Sequence, residues 1–152
     1  MSDPYASLDA QFTALDRQLI RRTGNLGLIP DAPDRRGGKR SYAEWAHVIG
    51  IFQTLMYLHL DSHDDNEILD VGCGTGLLGI ASEPFLGRIS RYVGLDVMRE
   101  DIEFCQRHYA LPRFEFIHFD VANPEYTPDQ RADQLEWPFE NERFDLVTAL
   151  SV

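Results

Sequence analysis

The sequence predicts an α/β fold in which a doubly wound parallel sheet follows an N-terminal helical segment. Three observations carry this. Four short runs rich in Val, Ile, Leu and Phe occupy the later part of the chain: EILDVG from residue 67, RYVGLDV from 91, FEFIHFD from 114 and FDLVTALSV from 144. Residues 75–83 and 99–109, between the first three runs, read as helices. Strand–helix–strand alternation with apolar strands is the pattern of a parallel sheet covered on both faces. A glycine-rich turn, DVGCGTGLLG at residues 70–79, ends the first strand and opens a helix.

Composition sets the bounds. The chain has 152 residues, 43% hydrophobic and 26% charged, enough for one domain with a real core and too short for two. No stretch approaches eighteen apolar residues in a row, so no membrane span is expected. The start, MSDPYASLDA, lacks the basic and apolar regions of a signal peptide. Cys73 and Cys105 are the two cysteines. With no secretory signal they read as reduced thiols in a cytoplasmic protein.

The net charge of −11 is unevenly spread. Residues 17–40 hold seven of the fourteen basic side chains against two acids, whereas residues 41–152 carry seven basic and twenty acidic ones. The acidic body argues against a nucleic-acid surface. The basic stretch, which includes PDAPDRRGGKR, reads as a solvated loop that balances this body, with attraction of a phosphate or anionic acceptor as the alternative.

Two helices precede the sheet. Leu8, Phe12, Leu15 and Leu19 recur at helical spacing. Ser41 and Glu44 form a capping-box pattern ahead of Trp45, Val48, Ile49, Phe52, Leu55 and Met56, an apolar face that extends to about His59 and should cover the sheet. Residues 121–143, joining the third and fourth strands, contain three prolines and many charges and read as a loop with at most one short helix.

The chemistry gathers at the strand ends. Gly72, Gly74, Gly76 and Gly79 suit positive φ and let a ligand approach the backbone closely. The segment GTGLLG also satisfies the dinucleotide pattern G-x-G-x-x-G, and a glycine-rich corner can be purely structural. Asp70, Asp96 and Asp120 close the first, second and third strands, so all three carboxylates fall on the carboxyl edge where open α/β sheets bind ligands. Asp96 stands where an acid takes both hydroxyls of a ribose.

With these residues in place the sequence resembles the class I S-adenosylmethionine-dependent methyltransferases. ILDVGCGTGLLG at 68–79 looks like their first motif, YVGLDV at 92–97 their second, FIHFDVAN at 116–123 the adenine-contacting motif and FDLVTALSV the fourth. The resemblance implies a Rossmann-like fold, S-adenosyl-L-methionine as cofactor, and two regions: 1–66, a helical segment with a basic loop, and 67–152, the cofactor-binding half. It implies that Gly72, Cys73 and Gly74 pass the methionine moiety and that Asp70 holds it. Asp96 would bind the ribose and Val97 would flank the adenine. Asp120 and the Val121 N–H would meet the adenine amino group and ring, and backbone near Ala149 would approach the methionine end. Tyr42 and Trp45 are further candidates, with core packing as their other reading.

A complete fold of that family has seven strands in the order 3-2-1-4-5-7-6, and this chain supplies four. The resemblance therefore implies an incomplete domain whose fourth strand presents an unpaired edge, with self-association through that edge expected. Methyl transfer asks mainly for alignment, and a base only where the acceptor must lose a proton. None of His47, His59, His63, His108 and His118 is assigned that role. DSHDDN around His63 lacks metal-ligand spacing, so no metal is expected. The fourth strand does not lead into Asn-Pro-Pro-Tyr, which leaves a small-molecule, sugar or lipid acceptor. Two rivals are a non-catalytic cofactor-binding or interaction module and a nicotinamide-dependent oxidoreductase.

Overall fold

The computed structural model describes residues 26–36, 39–62, 64–121, 137–141 and 143–150. The helix expected around residues 8–19, His63 and most of the 121–143 connection lie outside them.

Short 3-10 turns at Leu26–Leu28 and Ala32–Asp34 lead into helix α1 (Tyr42–His59). The capping box forms as its spacing indicates. Glu44 N–H donates to Ser41 Oγ at 3.1 Å, and Ser41 N–H donates to the Glu44 carboxylate at 3.0 Å. The basic loop is not simply solvated. Arg35 is buried, its guanidinium donating to the carbonyls of Pro30 at 2.9 Å and Arg40 at 2.7 Å. Arg36 pairs with Asp101 at 3.0 Å. Pro30 and Pro33 give the loop few internal partners, so its arginines supply the donors that hold it in shape.

Four parallel strands follow: β1 (Ile68–Val71), β2 (Tyr92–Asp96), β3 (Phe114–His118) and β4 (Leu146–Ala149), in the spatial order β3-β2-β1-β4. Asp70 lies in register with Gly94 on one side and Thr148 on the other, and Asp96 with His118. Helix α2 (Leu77–Ser82) joins β1 to β2 and α3 (Arg99–His108) joins β2 to β3.

All three helices share one face. Trp45 and Ile49 of α1, Leu78 and Ile80 of α2, and Ile102 and Cys105 of α3 form one core with Ile68, Tyr92 and Phe116 of the strands. For α2 and α3 the reason is handedness: β1, β2 and β3 step in one direction, and right-handed crossovers then put the helices that join them on the same side. Helix α1 packs chiefly on α2 rather than flat on the strands. Of its expected apolar face Trp45, Ile49 and Met56 are buried, while Leu55 remains 43% exposed. The opposite face of the sheet, with Leu69, Val93 and Leu95, is packed by Phe119, Phe139 and Phe144. Phe119 follows β3 and Phe139 and Phe144 precede β4, the two strands at opposite edges of the sheet. The free edge of β4 has no strand neighbour among the described residues.

Candidate functional site

The carboxyl ends of β1 and β2 are tied together through the glycine loop. Gly72 N–H and Cys73 N–H both donate to the Leu95 carbonyl, at 2.8 and 2.9 Å. Gly74 N–H donates to Asp96 Oδ2 at 2.7 Å, and Met98 N–H to Asp96 Oδ1 at 2.8 Å. Asp96 is thus the clamp that shapes the loop. Each of its oxygens has a second acceptor site, so a vicinal diol can still be paired by the same carboxylate.

Two loop glycines serve opposite ends. At Gly76, φ +85, a Cβ would stand 2.6 Å from the Tyr109 ring, whose hydroxyl donates to the Thr75 carbonyl at 2.8 Å. That glycine is needed for packing. Gly76→Ala is expected to cost about 2–4 kcal/mol, overpacking added to an unfavourable φ; a urea melt with an unchanged midpoint would refute this. At Gly74, φ +51, the nearest heavy atom to a Cβ is Arg36 Cβ at 4.0 Å. There the missing side chain leaves an open cradle in which a ligand can rest against the backbone.

Asp70 is the most deeply buried carboxyl of the site. Tyr92 O–H donates to its Oδ2 at 2.6 Å and Thr148 O–H to its Oδ1 at 3.1 Å, so the carboxyl bridges β1, β2 and β4. Burial pushes its pKa up to about 6. The two hydroxyls pull it back in part, and the nearby negative charge of Asp96 raises it further. Burial beside Asp70 likewise pushes the Tyr92 hydroxyl well above its ordinary value.

These groups open on a cavity of about 920 Å³ at the carboxyl edge of the sheet, lined among others by Asp70, Gly72, Cys73, Gly74, Asp96 and Val97. It spans the point where β1 has β2 on one side and β4 on the other, the crevice in which such sheets hold ligands. Val121 also lines it. Asp120 and Ala149 are exposed and are not among the lining residues, whereas Leu150, next to Ala149, is. Tyr42 is core, its hydroxyl donating to the Leu26 carbonyl at 2.8 Å, while Trp45 lines the cavity and donates to the Lys39 carbonyl at 2.9 Å. Arg36, Lys39, Val48, Phe52, Met98 and Asp101 complete parts of the wall that strand motifs do not indicate. The basic run and the apolar stripe of α1 were the available signals for four of them.

No histidine lines the cavity among the described residues. His118 Nε2 lies 3.0 Å from the Val97 carbonyl and His108 Nε2 2.9 Å from that of Leu28, while His47 and His59 sit exposed on α1. The two thiols, Cys73 and Cys105, are free and buried; the adjoining Cys105 thiol, and then burial, raise the pKa of Cys73.

Comparison with known proteins shows the family of the chain. Residues 68–152, more than half of the chain, match the family model described as a methyltransferase domain. Among curated proteins, a phthiotriol/phenolphthiotriol dimycocerosates methyltransferase 1 of Mycobacterium ulcerans is 37% identical over 83 residues, 53% of this chain and 24% of the relative. A phthiotriol/phenolphthiotriol dimycocerosates methyltransferase of Mycobacterium leprae is 33% identical over 105 residues, 67% of this chain and 32% of the relative. A fatty-acid O-methyltransferase of Mycolicibacterium smegmatis is 35% identical over 75 residues, 47% of this chain and 26% of the relative. The matched region thus spans no more than about a third of the length of these relatives. The strand order, the glycine loop clamped by Asp96 and the matched domain lead to one conclusion: the chain belongs to the class I S-adenosylmethionine-dependent methyltransferase family.

Proposed function

We propose that the chain forms the cofactor-binding part of an S-adenosyl-L-methionine-dependent methyltransferase whose acceptor is a lipid or another small, largely apolar molecule. The observation that carries the reading is the link from Gly74 N–H to Asp96, which brings the open glycine cradle and a diol-pairing carboxylate to the same cavity wall. Bound there, S-adenosylmethionine supplies a methyl group on a positively charged sulfur. The chain's own residues hold and shield. Asp96 takes the ribose hydroxyls, Gly72, Cys73 and Gly74 let the methionine moiety lie against the backbone, and Asp70 offsets positive charge beside it. Val97 and Val121 flank the base, with Asp120 and Ala149 as outlying candidates at the two ends.

In-line displacement needs alignment and exclusion of water more than acid–base chemistry. An apolar wall of Trp45, Val48, Phe52 and Leu150 suits that task and suits an apolar acceptor. The matched relatives are named for fatty-acid and phthiotriol substrates, which supports the same acceptor class. Among the described residues no helix is long and apolar enough to cross a membrane. A cytoplasmic setting is part of the proposal, supported by two free, buried thiols.

Calorimetric titration with S-adenosylmethionine and with NAD separates the cofactor classes; binding of NAD alone would overturn the proposal. Within it, Asp96→Ala is expected to weaken S-adenosylmethionine binding by roughly 1.5–3 kcal/mol, the range for hydrogen bonds to a charged group. Release of the Gly74 N–H adds to the loss. An unchanged affinity in a folded variant would remove Asp96 from the site.

A further inference from the structure

The charges on the cavity wall do not balance evenly. Among the described residues it carries three carboxylates, Asp70, Asp96 and Asp101, and two cations, Arg36 and Lys39. The amino-acid end of S-adenosylmethionine brings a sulfonium, an ammonium and one carboxylate. The acidic wall suits the first two and repels the third, so a cation on the wall is the natural partner for the carboxylate.

Arg36 is placed for this. Its Cβ is the heavy atom nearest to where a Cβ of Gly74 would stand, so its side chain starts directly over the open cradle. Its Nε donates to Asp101 Oδ1 at 3.0 Å, and Asp101 is buried in the first turn of α3. That bond uses one of five guanidinium N–H donors and steadies a long side chain that is half exposed. A guanidinium held this way keeps the geometry for a second, two-pronged bond to a carboxylate.

We propose that Arg36 is the carboxylate-binding residue of the cavity, receiving the α-carboxylate of the cofactor's methionine moiety while Asp101 holds it in place. The assignment rests on the S-adenosylmethionine reading above. It predicts that the site discriminates by the carboxylate itself. Arg36 itself is half exposed, so its removal costs the fold little beyond the Asp101 carboxylate it strands, which the double variant below removes.

The test is calorimetric titration of the full chain with S-adenosylmethionine and with its decarboxylated form, which differ by that carboxylate alone. The wild-type chain should prefer the carboxylate-bearing form roughly 10- to 100-fold, as expected for a charge-assisted pair. Arg36→Gln should erase the preference, leave the decarboxylated form's affinity within a few fold, and melt near the wild-type temperature. Arg36→Gln/Asp101→Asn, which removes the stranded carboxylate as well, should behave the same way, and Arg36→Lys should restore part of the preference. A preference that survives Arg36→Gln, or an equal loss for both ligands, overturns the assignment and leaves the cofactor reading standing. Failure of the wild-type chain to bind either form overturns both. A third arm separates the other source of a carboxylate, the acceptor. If Arg36→Gln abolishes dodecanoate binding and leaves the preference between cofactor forms unchanged, Arg36 serves the acceptor and the assignment falls.

Discussion

Gly74→Val is expected to abolish binding of S-adenosylmethionine while leaving the helical signal largely intact. The backbone there has φ +51, and apart from the adjoining residues the nearest heavy atom to the position of a Cβ is Arg36 Cβ at 4.0 Å. An added Cβ would make only ordinary contact with Arg36, and the branched carbons beyond it would project into the cavity and occupy the cradle. Valine adds a second penalty, because a branched Cβ is poorly accommodated at positive φ. A bound molecule resting on the backbone loses contact along the loop and meets branched carbons instead, a loss of up to about a hundredfold in affinity by the cost of comparable overpacking, to which the strained backbone adds. Calorimetry and far-ultraviolet circular dichroism on the same sample check both halves of the expectation. Wild-type affinity in the variant would mean that the loop is a structural corner. Gly76→Ala is the built-in contrast, since its cost is paid against Tyr109 and should appear in stability first.

The second large effect follows from Asp70. Its carboxyl has a pKa of about 6 in the folded chain against an ordinary 3.8, because burial disfavours the charged form. Between those two values the folded state holds a proton that the unfolded state releases. Stability from this group is therefore fully present below about pH 4 and is lost as pH rises through about 6, a change of about 3 kcal/mol at 1.36 kcal/mol per pH unit. Other carboxylates titrate with the opposite sign; hydrogen bonds from Ser41, for instance, hold Glu44 below its ordinary value. The measurable quantity is thus the difference between wild type and Asp70→Asn in denaturant melts from pH 4 to pH 7. That difference should shift steadily against the wild type over this window and then level. A ligand that brings positive charge to Asp70 favours its ionised form, so S-adenosylmethionine affinity should rise through pH 6 with release of a proton. The rise should vanish in Asp70→Asn. A flat difference curve would show that Tyr92 and Thr148 satisfy the carboxylate well enough to cancel its burial.

Much of this site is visible in the residues alone, and the physical reason is that its parts are local. Ser41 and Glu44 are three apart, and a capping box is made within one helical turn, so α1 begins where the spacing says. The four strands announce themselves by short apolar runs, and an aspartate at the end of a strand is a position along the chain. Asp70, the glycines and Asp96 could therefore be picked out as neighbours at one sheet edge before any contact was known.

Contacts across many residues depend on packing, which periodicity does not encode. Gly74 and Gly76 look alike in GCGTG, yet one opens on a cavity and the other is filled by Tyr109, because α3 folds back under the loop. Asp70 reads as a strand-end acid; its partners Tyr92 and Thr148 sit 22 and 78 residues away and reach it only through the register of β1 with β2 and β4. The arginines of the basic run read as a solvated stretch, because a charge run carries no sign of what it will face. Arg35 turned inward to satisfy loop carbonyls, and Arg36 met Asp101, 65 residues on. The apolar stripe on α1 told that the helix is buried on one side but not against what. The β1-to-β2 crossover fixed the side on which α2 lies, and α1 packs on α2, which brings Trp45, Val48 and Phe52 to the cavity wall.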